Sequence, residues 1–210
     1  MPHVRPYRPT DRAAVFDICV RTAHAGGDAR DIYPDPELMP SLFAAPYLRL
    51  EPELAFVLDN GEGRAVGYVL GTADTPRFVK AFREEWLPLV RDRFPAPEKR
   101  RTRSDDMTAL LHDPEHMLTA ETADYPAHLH IDLLPGHQGR GHGRQLMGTL
   151  LDALHDRGVA RVHLCMVNAN TGARAFYDRL GFHKIEVPGT AGVTYLGRGT
   201  DRHAQGAAET

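Results

Sequence analysis

The stretch Leu129-His-Ile-Asp-Leu-Leu-Pro-Gly-His-Gln-Gly-Arg-Gly-His-Gly-Arg144 decides how this 210-residue chain is read. An apolar run ends at Pro135, a glycine-rich turn follows, and beyond Arg144 the residues Leu146, Leu150, Leu151 and Leu154 recur at helical spacing. The order is strand, loop, helix. A helix that starts directly after such a turn leaves its first N–H groups unpaired and aims the positive end of its dipole into the turn, which makes an anion site. Gly139, Gly141 and Gly143 remove side chains that would keep a phosphate from the backbone, and Arg140 and Arg144 add positive charge. A P-loop would need Gly-Lys-Ser/Thr, but Gly143 is followed by Arg144 and Gln145. A dinucleotide fingerprint would need Gly-x-Gly-x-x-Gly, and neither glycine pair has its third member. The pattern present is Gln138-x-x-Gly141-x-Gly143.

A second motif lies downstream. Val159 to Val167 reads as a strand, followed by Asn168-Ala-Asn-Thr-Gly-Ala-Arg-Ala-Phe-Tyr-Asp-Arg-Leu-Gly-Phe182. The two motifs, in this order with one helix and one strand between them, resemble those of the GCN5-related N-acetyltransferase (GNAT) family. The first resembles its pyrophosphate signature and the second its Asn-x-x-Ala-x-x-Phe/Leu-Tyr-x-x-x-Gly-Phe motif. The resemblance spans roughly Val4 to Arg198, with specific motifs in Ala127 to Phe182. The stretch Tyr33-Pro-Asp-Pro36, His130 to Pro135 and an insertion described below also resemble the C-terminal acetyltransferase-like domain of animal O-GlcNAcases. The family resemblance implies an α/β (α+β) fold: a mixed, mostly antiparallel sheet of six to seven strands, flanked by helices and splayed between strands four and five. It also implies acetyl-coenzyme A as cosubstrate.

Composition sets outer bounds. A hydrophobic fraction of 42% and a charged fraction of 25% suit a globular chain with a real core. A net charge of -3 is no electrostatic footprint for nucleic acid or an anionic membrane, so neither is expected as a partner. No apolar run reaches spanning length and the N-terminus has no signal-peptide pattern, so a cytoplasmic location is expected, as monomer or homodimer. Cys19 and Cys165 read as reduced, small core residues.

Taken in order, Val4 to Tyr7 reads as a strand, and Pro9-Thr-Asp11 as a cap for a helix carrying Ala14, Val15, Ile18 and Cys19 on one stripe. His24 to Asp28 reads as a flexible loop. Tyr33-Pro-Asp-Pro36 introduces a short helix with Leu38, Met39, Leu42 and Phe43 apolar, where the resemblance brings Asp31 and Tyr33 toward the acceptor pocket. Leu54 to Leu58 and Arg64 to Thr72 form a hairpin turned at Asn60-Gly61. An insertion of about fifty residues, Asp74 to Asp124, is too apolar for a linker and is expected to cover the acceptor side as helices. Within it, Lys99 to Arg103 reads as a solvated loop that could alternatively grip an acidic partner or the 3′-phosphate of coenzyme A. His112-x-x-x-His116 is rejected as a metal site because Pro114 is unsuited to a helix interior and no third ligand is evident; no metal is expected. The chain thus divides into a single domain, 1–198, and a disordered tail, 199–210.

Acetyl transfer needs a held cofactor, a polarised carbonyl, a deprotonated amine and a proton for the departing thiolate. The resemblance assigns the diphosphate to Gln138, Gly139, Arg140, Gly141, His142, Gly143 and Arg144, and pantetheine to the backbone of Ile131, Asp132 and Leu133 at a bulge. The N–H of Leu133 is the expected oxyanion donor, as a fixed donor needs no reorganisation during reaction. Tyr177 is the expected acid to sulfur, protonated at neutral pH. Asn168 and Asn170 orient cofactor or cap the last helix. The family's usual base position holds Ala127, which cannot act; Asp132 lies nearest the thioester, and His128 and His130 share its face if the strand alternates strictly. The expected activity is direct transfer to a small-molecule amine. A protein-lysine acceptor, or a silent acetyl-coenzyme A-binding module, is the alternative.

Overall fold

The computed structural model describes residues 1–201. Its seven strands form one sheet in the order β1-β2-β3-β4-β5-β7-β6. Among the described residues every strand pair is antiparallel except β4 with β5, so the expected mixed sheet is present at the upper strand count.

The first half builds a closed ladder. β1 (His3–Pro6) pairs with β2 (Ala55–Asp59), which turns into β3 (Ala65–Thr72). At that turn the Asp59 carboxylate accepts from the N–H of Gly61 and Gly63 at 2.8 and 3.0 Å, which fixes the hairpin the Asn60-Gly61 pair announces. Every residue of β3 is buried because both sheet faces are covered there, by α1 (Arg12–Thr22) on one side and α7 (His142–His155) on the other. Val15, Ile18 and Cys19 of α1 face the core as their spacing predicts, and so do Leu146, Met147, Leu150, Leu151 and Leu154 of α7. Asp11 closes the start of α1 by accepting from the Arg8 N–H at 2.8 Å, while Arg5 ties Asp11 to Asp59.

Two helices follow α1 rather than one: α2 (Leu38–Phe43) and α3 (Ala45–Leu50), broken at Ala44. The segment 74–124 carries several short helices. Asp74 caps α4 (Thr75–Ala81), which passes through a π turn, Phe82–Trp86, into α5 (Leu87–Val90). A Thr102/Asp105 capping box starts α6 (Arg103–Leu111), so the expected charged loop already turns helical at Arg103. The insertion packs on α2 and α3, with Phe78 stacked on Tyr47 at 4.5 Å and the Trp86 indole donating to the Ser41 carbonyl. β4 (Ala127–Leu133), β5 (Arg161–Val167), α8 (Thr171–Arg179), β6 (His183–Ile185) and β7 (Val193–Gly199) complete the sheet.

Two expectations are corrected here. β7 runs through Gly199, and buried Thr200 donates from its N–H to the Ala160 carbonyl and from its hydroxyl to Val159, so residues 199–201 belong to the domain. The rest of the expected tail, 202–210, lies outside the described residues. Cys19 is buried, but Cys165 is exposed, because β5 alternates and turns that residue outward beside Tyr195. No helix among the described residues is long and apolar enough to cross a membrane.

Candidate active site

The two edges of β4 set up the site. Toward β3 the register is unbroken from Gly67 opposite Leu133 to Thr72 opposite His128. Toward β5 the pairing is confined to Ala127 with Val162 and His128 with His163. Past His128 the two strands part, and a cavity of about 610 Å³ opens between β4, the turn before α7, α8 and the end of α1. That volume is in the range that holds a cofactor.

The ladder determines which backbone groups face this gap. Leu134 donates its N–H to the Val66 carbonyl at 3.0 Å. Backbone groups alternate in direction along an antiparallel strand, so those of Asp132, His130 and His128 also point to β3, and those of Leu133, Ile131 and Leu129 point into the gap. This corrects one expectation: Asp132 cannot offer its backbone to a ligand strand, because β3 holds it. The expected bulge is also absent on this edge, so the strand keeps strict parity and His128, His130 and Asp132 share the face away from α7.

Past β4, Gln138 donates its side-chain amide to the Leu133 carbonyl at 2.8 Å, bending the turn back onto the strand. Gly139 and Gly141 adopt φ of +70° and +84°, the left-handed region, and a Cβ on either would meet nothing within 4 Å. They are glycines for conformation and leave open space above the backbone. Gly143 has a packing reason besides the phosphate-clearing one expected: a Cβ there would lie 3.0 Å from Phe176, so it serves the close approach of α7 to α8. The first α7 backbone bond runs from the Gln145 N–H to the Gly141 carbonyl at 3.2 Å, which leaves the N–H groups of His142, Gly143 and Arg144 at the open helix end. Gln138, Gly139, Gly141, Gly143 and Arg144 line the cavity. Arg140 and His142 do not; with burial as the larger cause, their charge helps hold the His137 imidazole below its ordinary range.

Two titratable side chains line the cavity wall. Asp132 accepts from the Tyr68 hydroxyl at 2.6 Å, and burial pushes its carboxyl up to about 6, against that hydrogen bond. Tyr177 is buried between Phe176 and Phe182, and burial together with the Asp132 charge raises its phenol above the ordinary range. Among the described residues its hydroxyl has no protein partner, and no enclosed side-chain nitrogen or oxygen is left unpaired, so the hydroxyl opens onto the cavity it lines.

Other expected residues lie elsewhere. Asn170 lines the cavity but spends its carbonyl capping α8, accepting from the Ala173 N–H at 3.0 Å. Asn168 points away, accepting from the Thr194 hydroxyl at 2.6 Å. Asp31 is exposed, and Tyr33 packs on the rim of the core; neither lines the cavity. Ala127 is buried against Val162. His112 and His116 each turn a ring nitrogen to a backbone carbonyl, and among the described residues no His, Cys, Asp or Glu group is arranged to hold a metal.

Sequence reading missed Thr22, Ala25, Gly26 and Tyr68. The first three line the cavity; the loop from His24 to Gly27 is a closed turn, with His24 and Gly27 exchanging both backbone bonds and Gly26 lying against Asn170. The glycine pair was its signal. Tyr68 becomes visible only through the β3–β4 register that sets it opposite Asp132.

Residues 22–182 match the model of the acetyltransferase (GNAT) family. The crystal structure of SsHAT is 68% identical, with a TM-score of 0.92, covering 95% of this chain and 98% of that one. Protein O-GlcNAcase of Rattus norvegicus is 27% identical over 187 residues, 87% of this chain but 20% of the relative; the chain thus spans about a fifth of that protein's length. Mycothiol acetyltransferase of Beutenbergia cavernae is 46% identical over 59 residues, 28% of this chain and 20% of that enzyme.

Proposed function

The chain belongs to the acetyltransferase (GNAT) family, and we propose that it moves an acetyl group from acetyl-coenzyme A directly to the amine of a small-molecule acceptor. The observation that carries this reading is the coincidence of three features in one cavity. These are the parted edge of β4, the open end of α7, and the Asp132/Tyr177 pair. The diphosphate takes the N–H groups at the α7 end, with Arg144 beside them, where donor geometry and helix dipole both favour an anion. Pantetheine runs along β4 as an added strand, bonding to the inward groups of Ile131 and leaving the Leu133 N–H to the thioester carbonyl.

The amine attacks the thioester carbonyl carbon, and the charge arriving on oxygen is met by the Leu133 N–H, which the sheet holds fixed. Asp132, ionised above pH of about 6, accepts the proton from nitrogen. When the carbon–sulfur bond breaks, the Tyr177 phenol gives its proton to the thiolate; its raised pKa keeps that proton in place until sulfur needs it. Solvent then carries the proton from Asp132 back to Tyr177. A small acceptor is supported by the shared stretch with an acetyltransferase named for a small molecule.

Calorimetry with acetyl-coenzyme A, followed by thiol release over an amine panel, tests the reading. Binding and turnover on a small amine are expected, with Tyr177→Phe retaining the binding and losing most of the turnover. Absence of heat, or turnover on peptides alone, would refute it.

A further inference from the structure

A chain of buried polar side chains on the Asp132 face of β4 has no part in the mechanism above. Thr75 donates its hydroxyl proton to the Pro126 carbonyl at 2.8 Å and lies 2.8 Å from Nδ1 of His128. A hydroxyl has one proton to give, and the carbonyl can only accept, so His128 must donate from Nδ1. Burial, reinforced by the His163 ring 5.7 Å away and by His130 and His116, holds His128 well below the ordinary imidazole range and therefore neutral. Its Nε2 is then a bare lone pair, and the Tyr47 hydroxyl 2.6 Å away must donate to it. Tyr47 has no second proton. The contact of 3.1 Å between Tyr47 and His130 Nε2 therefore runs the other way, with His130 donating.

Each link forces the next, and the result is a single tautomer of His130: Nε2–H toward Tyr47, lone pair on Nδ1. Among the described residues Nδ1 has no partner, and no enclosed side-chain nitrogen is unpaired, so it reaches open space from a half-buried ring. The Phe43 ring stands 5.5 Å from His130 as an apolar wall. His130 lies two residues before Asp132 on the same face of β4, which sets the two side chains roughly 7 Å apart.

Two uses of such a nitrogen compete. Burial, with a contribution from His116, pushes the His130 imidazole down to about 4, so it is a feeble base next to Asp132 and stays neutral throughout the assay range. Nor does the chain lead a proton away, since it ends on the Pro126 carbonyl, which has none to exchange. What remains is a neutral, oriented hydrogen-bond acceptor that cannot turn into a donor without reversing the three links behind it and giving up the bond from the Thr75 hydroxyl to the Pro126 carbonyl.

We propose that His130 sets acceptor specificity: its Nδ1 accepts a hydrogen bond from a second donor group of the amine substrate, a hydroxyl or a second amino group, and disfavours a carboxylate at that place. The span to Asp132 suits a donor separated from the reacting amine by roughly two to four carbon atoms. Tyr47 is then a positioning residue, acting through the tautomer. The inference rests on the acetyl-transfer reading above and adds the class of amine.

The test compares kcat/KM, by thiol release at saturating acetyl-coenzyme A, for amino alcohols, diamines, plain alkylamines and amino acids of matched chain length. The wild-type protein should favour the amino alcohol or diamine over the matched alkylamine by about tenfold or more, with the amino acid last. His130→Phe should bring the first two ratios near one, His130→Asn should keep part of them through its side-chain oxygen, and Tyr47→Phe should erode them. A merely structural role would lower all amines by one common factor and leave the ratios unmoved. Wild-type ratios near one, or a uniform loss in His130→Phe, overturn the proposal while leaving acetyl transfer intact. Absence of acetyl-coenzyme A binding in the wild type removes instead the reading beneath it.

Discussion

The two edges of β4 are made by the same seven residues and do opposite work. On one edge the backbone of every second residue is bonded into β3, under side chains buried on both faces. On the other edge the pairing with β5 ends after Ala127 and His128, and beyond it the alternate residues Leu129, Ile131 and Leu133 face the gap in which the cavity lies. The difference teaches that a strand can be half scaffold and half site, with parity as the divider. Residues whose N–H groups point to β3 hold the fold, and their neighbours one position away are free to hold a ligand. Unpaired strand edges are usually covered, and here the cover is proposed to be the cofactor itself.

The largest expected effect lies just past the open edge. Gly141→Glu forces a left-handed residue to carry a side chain and sets a carboxylate at the helix end, so acetyl-coenzyme A affinity should fall by about a hundredfold or more in calorimetry. Affinity equal to wild type would detach the loop from the diphosphate. Next comes Asp132→Asn, with a loss of roughly 10²- to 10⁴-fold in kcat and little change in cofactor affinity. The wild-type profile gives the sign. Asp132 works as the ionised form, so kcat/KM should fall as pH drops through about 6, and that acid limb should vanish in Asp132→Asn. A limb that persists in the variant would assign it to another group.

A proline pair separates the edges directly, since proline removes one N–H. Leu134→Pro deletes the bond to the Val66 carbonyl, on the scaffold edge, and should lower stability by about 1–3 kcal/mol in denaturant unfolding. Leu133→Pro deletes an N–H that faces the gap, so it should fold with a smaller loss but turn over on the order of 10²-fold more slowly. The reverse pattern, with Leu133→Pro the less stable of the two, would refute the parity assignment.

Much of this division was legible in the chain itself. The glycine turn, the α7 stripe and the Asn170-to-Phe182 motif are local patterns, and local patterns survive without knowledge of the partner strand. Long-range register is what escaped. Which of Ile131, Asp132 and Leu133 turns its backbone to the gap depends on the pairing with Gly67 to Tyr68, more than sixty residues away in sequence. The same holds for Tyr68 under Asp132 and for Gly143, whose small size also answers Phe176 of α8. Cys165 was misread because a seven-residue strand next to apolar neighbours looks buried until alternation assigns its face.

The smallest expected effect concerns two asparagines that sequence alone treats alike. Asn170 caps α8, so Asn170→Ala should cost about 1 kcal/mol of stability and, by loosening the helix that carries Tyr177, a modest part of turnover. Asn168 bonds Thr194 across the β5–β7 end, is exposed, and does not line the cavity, so Asn168→Ala should leave acetyl-coenzyme A affinity within error. Calorimetry on both variants decides it. A clear loss of affinity in Asn168→Ala would mean that the cofactor reaches past the end of β5, and the open edge of β4 would then be only part of its binding surface.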